Sequence, residues 1–172
     1  ARCGGPEHQP LLVGALSELP WALLDVDARL AIVRVASLSV IRQGPPSRAP
    51  RRRLLAFFEP RFPTYNPLVD RHLCELLVAL RSPEVVSRGM NLLRRMDDPQ
   101  HAIGLAVGLS ATKTEWPGSL RRELLQWFVQ TAEEQGGASS FGYVREARER
   151  FFSGMSEAEQ KELADILAIP LA

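Results

Sequence analysis

Asn66-Pro67-Leu68-Val69, Ser82-Pro83-Glu84-Val85 and Asp98-Pro99-Gln100-His101 are three instances of one signal, a side-chain acceptor directly ahead of a proline. The acceptor can cap the free N–H groups of a first helical turn, a contribution of about 1 kcal/mol each. Proline is tolerated at the first helical position, where its missing N–H costs nothing and its fixed φ already suits the helix. The three signals recur about every 16 residues, room for a helix of three to four turns and a short connection. Trp116-Pro117 supplies a fourth start about 18 residues further on.

Working outward, the apolar spacing predicts helices on both sides of these starts. Leu73, Leu76, Leu77 and Leu80 recur at three- and four-residue steps in 67–81, and Val85, Val86, Met90, Leu93 and Met96 do so in 83–96. Segment 99–111 is small and apolar almost throughout, as in a helix buried on most sides. Segment 117–135 carries Leu120, Leu124, Trp127, Phe128 and Thr131 and is expected to stop at Gly136-Gly137. Upstream, 27–43 shows a stripe of Leu30, Val33, Arg34, Ser37, Leu38 and Ile41, with a helix at 51–58 and another at 7–19. Downstream come a helix at 143–152 and a last one at 157–168, opened by a capping box from Ser156 to Glu159. Sustained alternation of period two is missing, so the chain reads as all-α, with eight or nine helices paired as antiparallel hairpins.

Comparing alternate starts gives a repeat of about 32–34 residues, the range of helical-hairpin solenoids. In such an array no hairpin buries its apolar face alone, and stacking on neighbours supplies the stability. A compact bundle of the same helices is the competing architecture. The soft points of the chain are 43–47, 61–66 and 136–140.

Composition narrows the function classes. The 172 residues are 45% hydrophobic and 24% charged, with a formal net charge of +1. These are the proportions of a soluble globular domain, large enough for a real core without metals or staples. The near-balance of charge gives no bulk drive toward nucleic acid or anionic lipid. The longest apolar stretch, near 31–41, is broken by Arg34 and falls short of the roughly 20 residues a bilayer requires. The whole chain, 1–172, is expected to form a single helical-repeat domain, weakly ordered at 1–6 and 169–172. Its start at Ala1-Arg2-Cys3 reads as a piece excised from something longer.

Each residue type that carries chemistry has a duller role here. Cys3 and Cys74 match no metal or haem spacing, and Cys74 reads as a small buried hydrophobe. His8, His72 and His101 stand in no ligand motif. Gly108-Leu109-Ser110-Ala111-Thr112 begins a nucleophile-elbow pattern but lacks its second glycine and its strand. Gly104 and Gly108 share a helical face, which in water points to close helix approach. Asp98 is accounted for by capping, and Glu146, Glu149 and Arg150 by a solvated face with i,i+4 pairing. In the aromatic pairs Phe57-Phe58, Trp127-Phe128 and Phe151-Phe152, one ring is expected inward and the other partly sideways. No catalytic, cofactor-binding or metal-binding residue is expected.

The one concentrated charge feature is Arg48, Arg51, Arg52 and Arg53, flanked by Arg42 and Arg61. Arginines at a helix start oppose the helix dipole, so another interaction must favour them or they simply solvate an outer face. They are the best candidates for contact with an acidic partner surface, or in the alternative reading with nucleic-acid phosphates.

Asp27-Ala28-Arg29-Leu30-Ala31-Ile32-Val33-Arg34, Leu54-Leu55-Ala56-Phe57-Phe58-Glu59-Pro60-Arg61-Phe62-Pro63, Asn66-Pro67-Leu68-Val69-Asp70-Arg71, Leu124-Leu125-Gln126-Trp127-Phe128, and Gly136-Gly137 with Ser140-Phe141 carry a resemblance. Together they resemble the helical-repeat segment of large planctomycete-type multidomain proteins, those known as HEAT-repeat, haem-binding or membrane-bound dehydrogenase-like. The resemblance spans about 20–168 of the chain. It implies a HEAT-like α-solenoid lying between a β-propeller and a c-type cytochrome domain, in an exported, extracytoplasmic protein. The chain has no CxxCH, so haem binding does not carry over, and neither does any catalytic residue. The expectation is a non-catalytic scaffold or spacer that positions neighbouring domains or docks a protein partner. No cofactor is expected, and nucleic acid is the second choice of partner.

Overall fold

The computed structural model describes residues 5–113, 116–134 and 138–169, with side chains at 133, 134 and 138–141 outside the description. Every regular element among the described residues is helical. Ten α-helices follow in order: α1 (Gln9–Ser17), α2 (Val26–Gln43), α3 (Arg48–Phe58), α4 (Pro67–Ala79), α5 (Val85–Leu93), α6 (Pro99–Ser110), α7 (Gly118–Glu134), α8 (Ala138–Ser153), α9 (Glu157–Glu162) and α10 (Ala164–Leu167). The count exceeds the expected eight or nine because the last helix breaks at Leu163, whose φ of −106° and ψ of 9° leave the helical region. Leu163 is buried, so the break turns an apolar side chain inward between two short helices.

The capping logic holds at two of the three acceptor–proline starts. Asn66 accepts from Val69 N at 3.1 Å and Asp98 from His101 N at 2.9 Å. Asp25 likewise accepts from Ala28 N at 2.8 Å, and Ser156 and Glu159 form the reciprocal capping box. Pro117 precedes α7, its carbonyl accepting from Arg121 N. Ser82-Pro83 departs from the pattern, because α5 begins only at Val85. Ser82 is fully buried, and its hydroxyl donates to the Glu59 carboxylate while accepting from Glu84 N at 3.2 Å. It ties the turn before α5 to the turn after α3 instead of capping a helix. The expected stop at Gly136-Gly137 lies outside the described residues.

Burial on α2 also differs from expectation. The inward residues are Ile32, Val33, Ala36, Ser39 and Gln43, whereas Ile41 is 76% exposed and Arg34 points outward. Polar partners explain the shift, since Gln9 of α1 donates to the carbonyls of Ser39 (3.4 Å) and Gly44 (3.0 Å). Ser39 in turn donates to Gln43 at 2.7 Å, and Gln43 donates to the Gly5 carbonyl at 3.1 Å. A pattern of apolar residues alone cannot see an inward polar stripe that satisfies itself.

Packing runs between near neighbours in the sequence. α1 packs on α2, α3 on α4, α5 on α6 and α7 on α8, while α2 touches α4, α4 touches α6 and α6 touches α8. On the other side α1 packs on α3, α5 on α7 and α7 on α10. Arg88 of α5 reaches the turn after α3, donating to the carbonyls of Glu59 (2.8 Å) and Phe62 (3.2 Å). One apolar core runs from Val13 to Ile166. Gly89 marks its tightest approach, since a Cβ there would sit 2.6 Å from a Leu109 methyl. Gly104 and Gly108 do face α4, but a Cβ on Gly108 would meet Cys74 and Glu75 at ordinary contact distances of 3.8 and 3.7 Å.

Among the aromatic pairs, Phe57 and Phe58 are both buried, against the expectation of one ring sideways. Trp21 meets both edge-on at 6.0 and 6.1 Å, and the Arg61 guanidinium covers Phe57 at 4.1 Å. Trp127–Phe128 and Phe151–Phe152 each have one ring buried and one half-buried. No helix among the described residues is long and apolar enough to cross a membrane.

Candidate functional site

The arginine cluster does not converge. Arg51 turns toward α4, donating through Nε to the Leu80 carbonyl at 2.7 Å and through a terminal nitrogen to the Arg81 carbonyl at 3.0 Å. The cation that opposes the dipole of its own helix therefore complements the C-terminal end of the next one. Arg53 lies against α1, its guanidinium 3.3 Å from where a Cβ on Gly14 would stand. Arg48 and Arg52 are exposed and make no hydrogen bond or ion pair among the described residues.

Cations do converge along the edge where α2, α4, α6 and α8 end. A cleft of about 550 Å³ opens between the end of α6, the start of α7 and the end of α8. Trp116, Phe151 and Met155, all buried, form its apolar wall, with the Trp116 and Phe151 rings 4.8 Å apart and inclined at 63°. Lys113, Arg121 and Arg150 supply its charge. A second cleft of about 640 Å³ adjoins it, lined by Pro45, Pro46, Arg51, Leu80 and Arg81 and sharing Ala111 and Lys113 with the first. No described carboxylate lines either cleft.

Local structure fixes each member. Arg81 follows α4 with φ at +54°, a left-handed residue that lets Ser82 N return to the Leu77 carbonyl at 2.9 Å. Thr112 closes α6, donating its N–H to the Leu109 carbonyl at 2.9 Å. Arg121 is ion-paired with Glu159, whose carboxyl is held below its usual range first by the Ser156 backbone N–H and then by the Ser156 hydroxyl and Arg121. Arg150 pairs with Glu146 at 2.7 Å on the solvent side of α8, the i,i+4 pairing the sequence implies. Lys113 is exposed and makes no ion pair among the described residues. The Trp116 Nε1 and the Thr112 hydroxyl are shielded from solvent with no hydrogen-bond partner among the described residues.

The remaining reactive side chains are dispersed. His8 sits 2.9 Å from Glu7, His72 3.3 Å from Glu75 and His101 3.0 Å from Asp98, each beside a carboxylate of its own segment. No group of three or more His, Cys, Asp or Glu side chains that could hold a metal occurs among the described residues. Burial pushes the Cys74 thiol well above its ordinary range, with Glu75 and Asp70 adding to the effect. Such a thiol is an inert packing group. Asp70, buried at 1% exposure, accepts from Thr64 N at 2.6 Å and the Thr64 hydroxyl at 2.8 Å, and its second oxygen has no partner among the described residues. Burial raises its carboxyl above the ordinary value and outweighs the opposing hydrogen bonds from Thr64 and Tyr65. It fastens the loop before α4.

Sequence reasoning singled out Arg51 for charge but missed Lys113, Trp116 and Arg121, and read Arg150 only as a solvated face. Trp116 gave a signal, a bulky aromatic before a proline, that was spent on marking a helix start. The others come together only through packing of α6, α7 and α8. In comparisons with known proteins, no family model matches the chain, and no curated protein and no solved structure matches it.

Proposed function

We propose that the chain is a non-catalytic helical-repeat scaffold, a HEAT-like α-solenoid that holds neighbouring segments at a fixed separation and docks a protein partner. The observation that carries this reading is the packing of alternate helices, α2 on α4, α4 on α6 and α6 on α8, beside the pairing of each with its predecessor. Stacked hairpins produce that arrangement, and their stacking creates an extended surface suited to a partner. The resemblance to planctomycete-type helical-repeat segments points the same way and would put any redox chemistry in flanking domains. Charge favours a protein partner over nucleic acid, because Arg51 is committed to backbone carbonyls and Arg53 lies against α1, which leaves only Arg48 and Arg52 of the cluster on one open face. Spin labels on cysteines replacing exposed Leu23 and Lys161, with Cys3→Ser, test the spacer role in the intact chain. One narrow distance distribution is the expected result. A broad distribution would remove the rigid-spacer reading.

A further inference from the structure

We propose that the cleft between α6, α7 and α8 is the seat of an acidic peptide segment, which places an apolar side chain on Trp116, Phe151 and Met155 and a carboxylate at Lys113. The proposal rests on the docking role above and names the chemistry of the docked segment. Four observations combine in it. The cleft, about 550 Å³, is in the size range of specific ligand sites. Its lining combines the apolar Trp116, Phe151 and Met155 with the cationic Lys113, Arg121 and Arg150. Trp116 is 7% exposed, and its indole N–H has no acceptor among the described residues, as the Thr112 hydroxyl has no partner. Shielded donors are normally satisfied, so an unpaired indole N–H beside an open cleft marks a place for an incoming acceptor.

The charge balance selects a carboxylate. Arg121 and Arg150 are each offset by a glutamate, Glu159 and Glu146, which leaves Lys113 as the uncompensated cation of this cleft among the described residues. One lysine with neutral donors matches a single negative charge better than a phosphate dianion or a polyanionic backbone. The adjoining cleft extends the site, because Lys113 lines both and Arg81 stands in the second with no ion pair among the described residues. An extended peptide passing Lys113 would bring a further carboxylate within range of Arg81.

The full chain contains three tryptophans, so its proton–nitrogen spectrum should show three indole signals, and Trp116→Phe assigns the relevant one. The probe is an acetylated, amidated hexapeptide of alternating leucine and glutamate. It is expected to move the Trp116 indole signal saturably and leave that of Trp21 in place. Lys113→Glu, on an exposed residue, should keep the backbone spectrum and weaken binding about tenfold, the scale of one close charge pair reversed at a partly exposed site. Substituting glutamine for glutamate in the peptide should weaken it comparably. A Trp116 signal that stays still at millimolar peptide would overturn the proposal. Equal binding of the glutamine peptide would overturn its carboxylate half, and a shift caused by inorganic phosphate or a DNA duplex but not by the peptide would assign the cleft to another anion. None of these outcomes bears on the label distances that test the spacer role.

Discussion

Arg51 Nε lies 2.7 Å from the Leu80 carbonyl, so a cation at the start of α3 closes the far end of α4. The side chain also holds the Arg81 carbonyl, and with it the left-handed turn that leads to buried Ser82. A charged donor to these two carbonyls is a structural joint between α3 and α4.

Arg51→Ala should therefore destabilise the chain by about 1–2 kcal/mol, the scale of hydrogen bonds made by a charged, partly exposed group. Arg52→Ala, the next residue in the same cluster but without a side-chain partner among the described residues, should change stability by less than about 0.5 kcal/mol. Urea midpoints of the two variants decide the matter. Equal losses would mean that the cluster acts through bulk charge.

The glycines of α5 and α6 should respond with opposite signs. Gly89→Ala pushes a methyl to within 2.6 Å of Leu109 in a filled core, and overpacking of this kind costs roughly 1–3 kcal/mol. Gly108→Ala meets only ordinary contacts, so the better helix propensity of alanine should stabilise by about 0.5–1 kcal/mol. Thermal melts of both variants would show the pair diverging.

Asp70 sets a pH slope of unusual sign for a carboxylate. Its folded value lies above the ordinary 3.8, so between the two the folded chain keeps a proton that the unfolded chain has released. Stability from this group is complete below 3.8 and declines as pH rises through the raised value. Asp70→Asn is neutral throughout, so its stability relative to the parent should improve across that window. Denaturation midpoints from about pH 4 to pH 7 measure the difference, and parallel profiles would contradict the assignment.

Phe128 and Trp127 separate core from rim within one dipeptide. Phe128 is fully buried, and Phe128→Ala should cost about 3–5 kcal/mol. Trp127 is half-buried at the edge of the same core, 5.6 Å from the Phe128 ring, so Trp127→Ala should cost less, about 1–3 kcal/mol. Chemical denaturation would refute this placement by ranking the two the other way.

Much of the helix layout was legible because it is written in local chemistry. Asn66, Asp98 and Ser156 cap helices through their own side chains, and Leu73, Leu76 and Leu77 of α4 turn inward. What escaped depends on partners distant in the chain. Ser82 resembles a cap until Glu59 is brought beside it, and Ser39 and Gln43 resemble surface residues until Gln9 arrives. The cleft was illegible for the same reason. Lys113, Trp116 and Arg150 share no periodicity, and their meaning comes from three helix ends meeting at one corner.

The chain of neighbour-to-neighbour packing has a thermodynamic corollary. Val13 on α1 and Phe151 on α8 belong to one core, yet α1 packs on α2 and α3 while α8 packs on α6 and α7. Deleting volume at one terminus leaves the other's surroundings intact, so the losses from Val13→Ala and Phe151→Ala should sum to within about 0.5 kcal/mol. On that expectation the two ends are energetic strangers, each helix answering to the helices it packs against.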